Sequence, residues 1–201
     1  MLSILTDKRL SAISGIFVII LYCVFTLVSW FFYPHPFTPW DNYLSRLGNF
    51  DYSPFGATFY NLGCILTGVA LFPFFLGLGV WYSGKKQTIL LAVGQILGGA
   101  SGVALILIGV YSENLGEPHM IASSVFFILN FLVLILICIA LFFNRAFPKL
   151  GVFWGLAIDV LVLILPFFIG TALIEWFTVF SSLAFVGMVS FSGYIRFLQK
   201  S

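Results

Sequence analysis

Charge is what this sequence most conspicuously lacks. Only 8% of its 201 residues are Asp, Glu, Lys or Arg, against 61% hydrophobic residues and a mean hydropathy of +1.13. A water-soluble domain carries about a quarter charged residues, so this chain has too few to clothe so apolar a body. A cytosolic enzyme is thereby excluded. Cysteine is scarce too, at three. Cys23, Cys64 and Cys138 all stand inside apolar stretches, where a thiol acts as a small hydrophobe, so neither a disulfide framework nor a metal site is implied. No cofactor is expected. The nine Lys and Arg are scattered and the net charge is only +2, which excludes a nucleic-acid partner. Strand alternation, heptads, low-complexity tracts, a nucleophile elbow, paired metal histidines and a Walker loop are all missing.

What the chain does have is long apolar runs. A helix needs roughly 20 residues to cross the hydrocarbon of a bilayer, and six such runs fill the sequence. They predict helices over 11–33, 57–82, 87–111, 119–143, 151–172 and 175–197. The expected fold is an all-α, integral membrane six-helix bundle, one transmembrane domain over 1–201, with membrane lipids as partners and the plasma membrane as its site. The first run follows Lys8 and Arg9 but is too long for a cleaved signal peptide, so it reads as a retained anchor. Helices five and six nearly touch in sequence and predict a tight hairpin.

Basic residues orient the bundle, because cytoplasmic loops are enriched in them. Lys8, Arg9, Lys85, Lys86, Arg145, Lys149, Arg196 and Lys200 fall on one side, and Arg46 alone on the other. Asp41, Asp51, Glu113, Glu117 and Glu175 share the Arg46 side, whereas Asp7 does not. Both termini are therefore expected in the cytoplasm. Trp30, Trp40, Trp81, Trp154 and Trp176 stand near helix ends, the pattern of an interfacial belt. Pro73 and Pro166 predict kinks. Gly94, Gly98 and Gly102, spaced by four, predict a close helix–helix approach that places the third helix centrally.

Two polar sets survive. Gln95, Asn130 and Asp159 lie near the midplane by helical rise, where the simpler role is interhelical hydrogen bonding and the sharper one a proton or ion relay. The second set is extracytoplasmic. In the loop 34–56, Asp41 and Gly48 can start and stop a short cap helix that presents Asn42, Ser45 and Arg46 on one face. Glu113, Glu117 and His119 come from the other outer loop, with Asn61 just below. His35, between prolines, reads as inert. A carboxylate, a serine, an arginine and a histidine at one boundary suit a phosphate headgroup or acyl transfer, with Ser45 and His119 as catalytic candidates. Whether the protein is an enzyme is left open.

The run Asp-Asn-Tyr-Leu-Ser-Arg-Leu-Gly from Asp41 to Gly48, then Ser53-Pro54 and Phe59-Tyr60-Asn61-Leu62-Gly63, resembles the six-helix membrane proteins grouped as domain of unknown function 998. The Ser-x-Leu-Gly element at Ser45 to Gly48, Asn61 early in helix two and His119 opening helix four carry the resemblance. That group is similar in layout to the Frag/DRAM/Sfk proteins, which implies a link to membrane lipid organisation. It implies no catalytic residues. Three functions follow as expectations: recognition of a lipid or lipid-linked headgroup at an outer polar pocket, a lipid hydrolase or transferase using Ser45 and His119, and a small proton-coupled transporter using Asp159.

Overall fold

A computed structural model describes residues 8–198. Asp7 and Lys200, used in the charge reading, lie outside them. Six α-helices of this stretch are long and apolar enough to cross a membrane, and no strand occurs among the described residues. They are α1 (Lys8–Phe31), α2 (Pro54–Gly77), α3 (Lys85–Val110), α4 (Glu117–Phe142), α5 (Lys149–Ile164) and α6 (Thr171–Leu198). The chain is an integral membrane protein. Each helix packs on its chain neighbours and α6 closes back on α1, so the bundle is an up-and-down ring with the start of α1 and the end of α6 at one end. We call that the terminal end, and the opposite end the mouth.

The boundaries follow local chemistry. Pro54 and Pro118 open α2 and α4 at positions whose N–H has no partner in the helix. Gly84 and Gly116 precede α3 and α4 at φ +67° and +70°, a left-handed conformation that glycine adopts without a side-chain penalty. Pro73 is absorbed inside an unbroken α2, but Pro166 ends α5, which passes into a single 3-10 turn at Leu165–Phe167. The expected run to 172 is thus broken, and Ala172 already belongs to α6. With 16 residues α5 is about 24 Å long, the shortest of the six and the least tightly packed on its neighbours.

Glycine sets the tightest approach. A Cβ at Gly68 would stand 2.6 Å from the Gly102 carbonyl oxygen, and one at Gly98 would overlap the Phe75 ring, so α2 and α3 meet backbone to backbone. Gly94 instead faces Ile137 of α4. The four-residue glycine spacing therefore serves packing inside the chain, but α3 is one member of a ring and not its centre. Two tryptophans also depart from expectation. Trp81, 1% exposed, is a hub at the terminal end: its carbonyl accepts from Asn144 Nδ2 (2.7 Å) and Gln87 Nε2 (3.0 Å), and Arg196 lies 4.8 Å over its ring. Trp176 is buried at the mouth and donates to the Asn42 carbonyl at 3.0 Å, so these two pin loops from inside instead of facing lipid.

Candidate functional site

The loop between α1 and α2 folds over the mouth. Its helical part is a 3-10 turn, Leu44–Gly48, with Leu44 and Leu47 fully buried. Asp41 does not cap it. Its carboxylate accepts from Thr38 Oγ1 at 2.6 Å, three residues back, and is used up in that local turn. The cap comes from across the bundle: Glu175, one turn into α6, accepts the Leu44 N–H at 3.1 Å and the Ser45 N–H at 3.2 Å, one on each carboxylate oxygen. A negative charge at the start of a helical turn is favourable because the free N–H groups point at it. Asn61 holds the other end of the turn, donating from Nδ2 to the Gly48 carbonyl at 2.9 Å. The Ser-x-Leu-Gly element and Asn61 are thus parts of one fastening.

Beneath this lid, between α4, α5 and α6, lies a cavity of about 770 Å³. Tyr43, Ser45, Glu113, His119, Thr171 and Glu175 line its mouth, and Asn130, Asp159 and Thr178 line its depth. The walls between are apolar, chiefly Phe127, Ile128, Phe131, Ile158, Val162 and Ile174. Met120, Ser124 and Ile128, one face of α4 at four-residue spacing, line the cavity and are also exposed on the outside of the bundle. The cavity is therefore a groove open sideways as well as a pit below the lid.

The candidate residues divide sharply. Ser45, Glu113 and His119 share the mouth. Glu113 accepts from Asn49 Nδ2. His119 is 6% exposed, and its Nδ1 lies 2.7 Å from the Tyr111 carbonyl. A carbonyl can only accept, so Nδ1 carries the proton of that bond. Arg46 is not a cavity residue: its guanidinium sits 5.3 Å over the Tyr52 ring, and its buried Nε has no hydrogen-bond partner. Asp41, Asn42, Asn61 and Glu117 do not line the cavity either. Ser45 hydrogen-bonds Glu175, and no hydrogen bond joins it to His119 among the described residues.

The midplane set also separates. Gln95 donates to the Phe75 and Leu76 carbonyls at 2.8 and 3.1 Å and accepts from Tyr82, tying off the last turn of α2 away from the cavity. Asn130 donates to Ser182 Oγ at 3.1 Å and joins α4 to α6 across the ring. Asp159, 5% exposed, stands at the cavity wall with its Oδ2 unpartnered. Among the described residues, no group of three or more His, Cys, Asp or Glu is arranged to hold a metal ion.

A family model described as a protein of unknown function, DUF998, matches residues 16–192. The chain belongs to the DUF998 family. The match runs from α1 nearly to the end of α6, so lid, mouth and groove of this DUF998 protein all lie within the family's extent. No curated protein and no solved structure matches the chain.

Sequence reasoning missed Glu175 as a site residue, together with Ser123, Ser124 and Thr178. A sixth helix expected to begin at Glu175 places it among the outer acids. The run Pro166 to Gly170 marks the true break, and a helix that starts after it carries Glu175 one turn inside.

Proposed function

We propose that this protein binds a membrane amphiphile in the cavity between α4, α5 and α6, with the polar part of the ligand inside and its apolar part leaving along the outer face of α4. One observation carries this reading: a single cavity of about 770 Å³ joins polar groups at its mouth and depth to the exposed stripe Met120, Ser124 and Ile128. A largely apolar cleft of a few hundred cubic ångströms with a few convergent polar groups is the common form of a small-molecule site. An opening toward the acyl chains gives such a ligand a route that never crosses water. Hydrolysis or transfer by Ser45 has less support, since its partner is Glu175 and not a histidine base.

The same reading turns the mouth away from the cytoplasm, because Arg9, Lys85, Lys86, Arg145, Lys149 and Arg196 gather at the terminal end. An impermeant maleimide should label an introduced Asp51→Cys in intact cells and spare Lys85→Cys; the reverse result inverts the molecule. For the site itself, Ser124→Trp should fill the groove from a position that already faces outward. Native mass spectrometry of gently purified protein should show a retained lipid in the wild type and its loss in this variant at unchanged thermal stability. Equal retention in both proteins would move the ligand elsewhere.

A further inference from the structure

The cavity lining is rich in carboxylates, and Tyr43, Ser45, Ser123, Ser124 and Thr171 add hydroxyls that both donate and accept. Besides Tyr43, the ionisable lining consists of Glu113, Asp159, Glu175 and His119, with no Lys or Arg. Two of the carboxylates are already engaged, Glu113 by Asn49 and Glu175 by the lid amides. Asp159 is not. Its Oδ2 is buried on the cavity wall without a donor, in a protein interior where an uncompensated carboxylate is strongly disfavoured. Two more acceptors line the same depth. Asn130 donates one of its Nδ2 hydrogens to Ser182 and keeps its Oδ1, and Thr178 spends its hydroxyl proton on the Ile174 carbonyl (2.7 Å) and keeps its lone pairs.

A phosphate or carboxylate headgroup would bring acceptors and negative charge to a place that already has both. Arg46, the one Lys or Arg near the mouth among the described residues, lies over Tyr52 and does not line the cavity. A ligand that complements Asp159 brings donors and positive charge. Resting on the amphiphile reading above, we propose that the ligand is a cationic amphiphile, an ammonium carried on an apolar chain, whose N–H groups pair with Asp159 and are shared by Asn130 and Thr178. The chain then runs past Ile128, Phe131 and Val162, apolar residues of the lining, toward the exposed side of α4. Such a ligand can be an amine-bearing lipid of the bilayer or an amphiphilic amine arriving from water; the chemistry recognised is the same.

The test uses the full chain in nanodiscs of a neutral lipid, with dodecylamine, dodecanol and dodecanoate as probes. A dialkylamine lipid built into the bilayer forms a separate arm. Dodecylamine should bind at least tenfold more tightly than the alcohol or the acid. Asp159→Asn, nearly isosteric, should abolish that preference while dodecanol binding and thermal stability stay as they were. Displacement of dodecylamine by the dialkylamine lipid would assign the ligand to the bilayer, and its absence would assign it to water; either keeps the inference. Equal binding of amine and alcohol in wild type and Asp159→Asn overturns the ammonium while leaving an amphiphile site. A cavity that takes none of the probes, with Ser124→Trp changing nothing, overturns both.

Discussion

The two halves of the ring are built from similar apolar helices, yet one is closed and the other hollow. In α1 to α3, glycines stand where helices cross: Gly63 against Phe25, Gly68 against the Gly102 carbonyl, Gly77 against Ser11 and Gly109 against the Asn61 carbonyl. In lipid the association of helices rests on such close packing, because lipid tails are as apolar as the side chains they would replace. In α4 to α6 the close approach is confined to the terminal end, where Gly155 meets Cys138 and Phe185. Beyond it α5 stops early at Pro166, and bulky residues on α4 and α6 face each other across space. The difference teaches that hydropathy makes a span, whereas the placement of small residues and the length of each helix decide whether two spans enclose a site.

The largest effect should come from forcing side chains into the closed half. Gly68→Leu drives a side chain into the backbone of α3, which cannot yield as a flexible side chain would. We expect a loss of about 3 kcal/mol or more, read as a collapse of thermal stability or of folded yield. Gly99→Leu, whose Cβ would come no closer than 3.8 Å to Phe72, is the control and should be nearly neutral. Equal damage from both would mean that glycine spacing is not what closes this half.

The next effect joins lid to groove. Glu175→Ala leaves the Leu44 and Ser45 amides without their shared acceptor and should cost about 2 kcal/mol, with faster hydrogen exchange at those two amides. Glu175→Gln keeps one acceptor oxygen and should lose less. If exchange at Leu44 and Ser45 does not change in Glu175→Ala, the lid is held by Leu44 and Leu47 burial alone and the fastening across the bundle is incidental.

The six spans, and the pairing of the glycine face inside the chain, were legible because length, hydropathy and four-residue spacing are local properties of sequence. The candidate site was legible only in part. Ser45, Glu113 and His119 reach one mouth, but Arg46 and Asn61, of the same lid turn and its fastening, do not line the cavity. The lid is a 3-10 turn over Leu44–Gly48 and not the α-helix expected over Asp41 to Leu47, and within it Ser45 lines the cavity while Arg46 lies over Tyr52. Nor could composition reveal that Asp159 and the mouth residues belong to one cavity. That depends on how far α5 reaches and which way it faces.

The smallest effect is the most discriminating. If the polar residues of the open half were glue, removing any of them would loosen it. Asn130 fits that role, since its bond to Ser182 spans the ring, and Asn130→Leu should cost about 1 kcal/mol, the usual worth of such a bond in a membrane protein. Asp159 does not fit it. Its Oδ2 has no donor, and replacing a buried, uncompensated polar group by an apolar one of similar size is neutral or stabilising. We therefore expect Asp159→Leu to leave thermal stability unchanged or to raise it by up to about 1 kcal/mol, measured on the purified protein without added ligand. That gain would mark Asp159 as a residue kept at a standing cost to the fold, which is the signature of a binding group. A clear fall in stability would return Asp159 to the glue and make the hollow half an accident of packing.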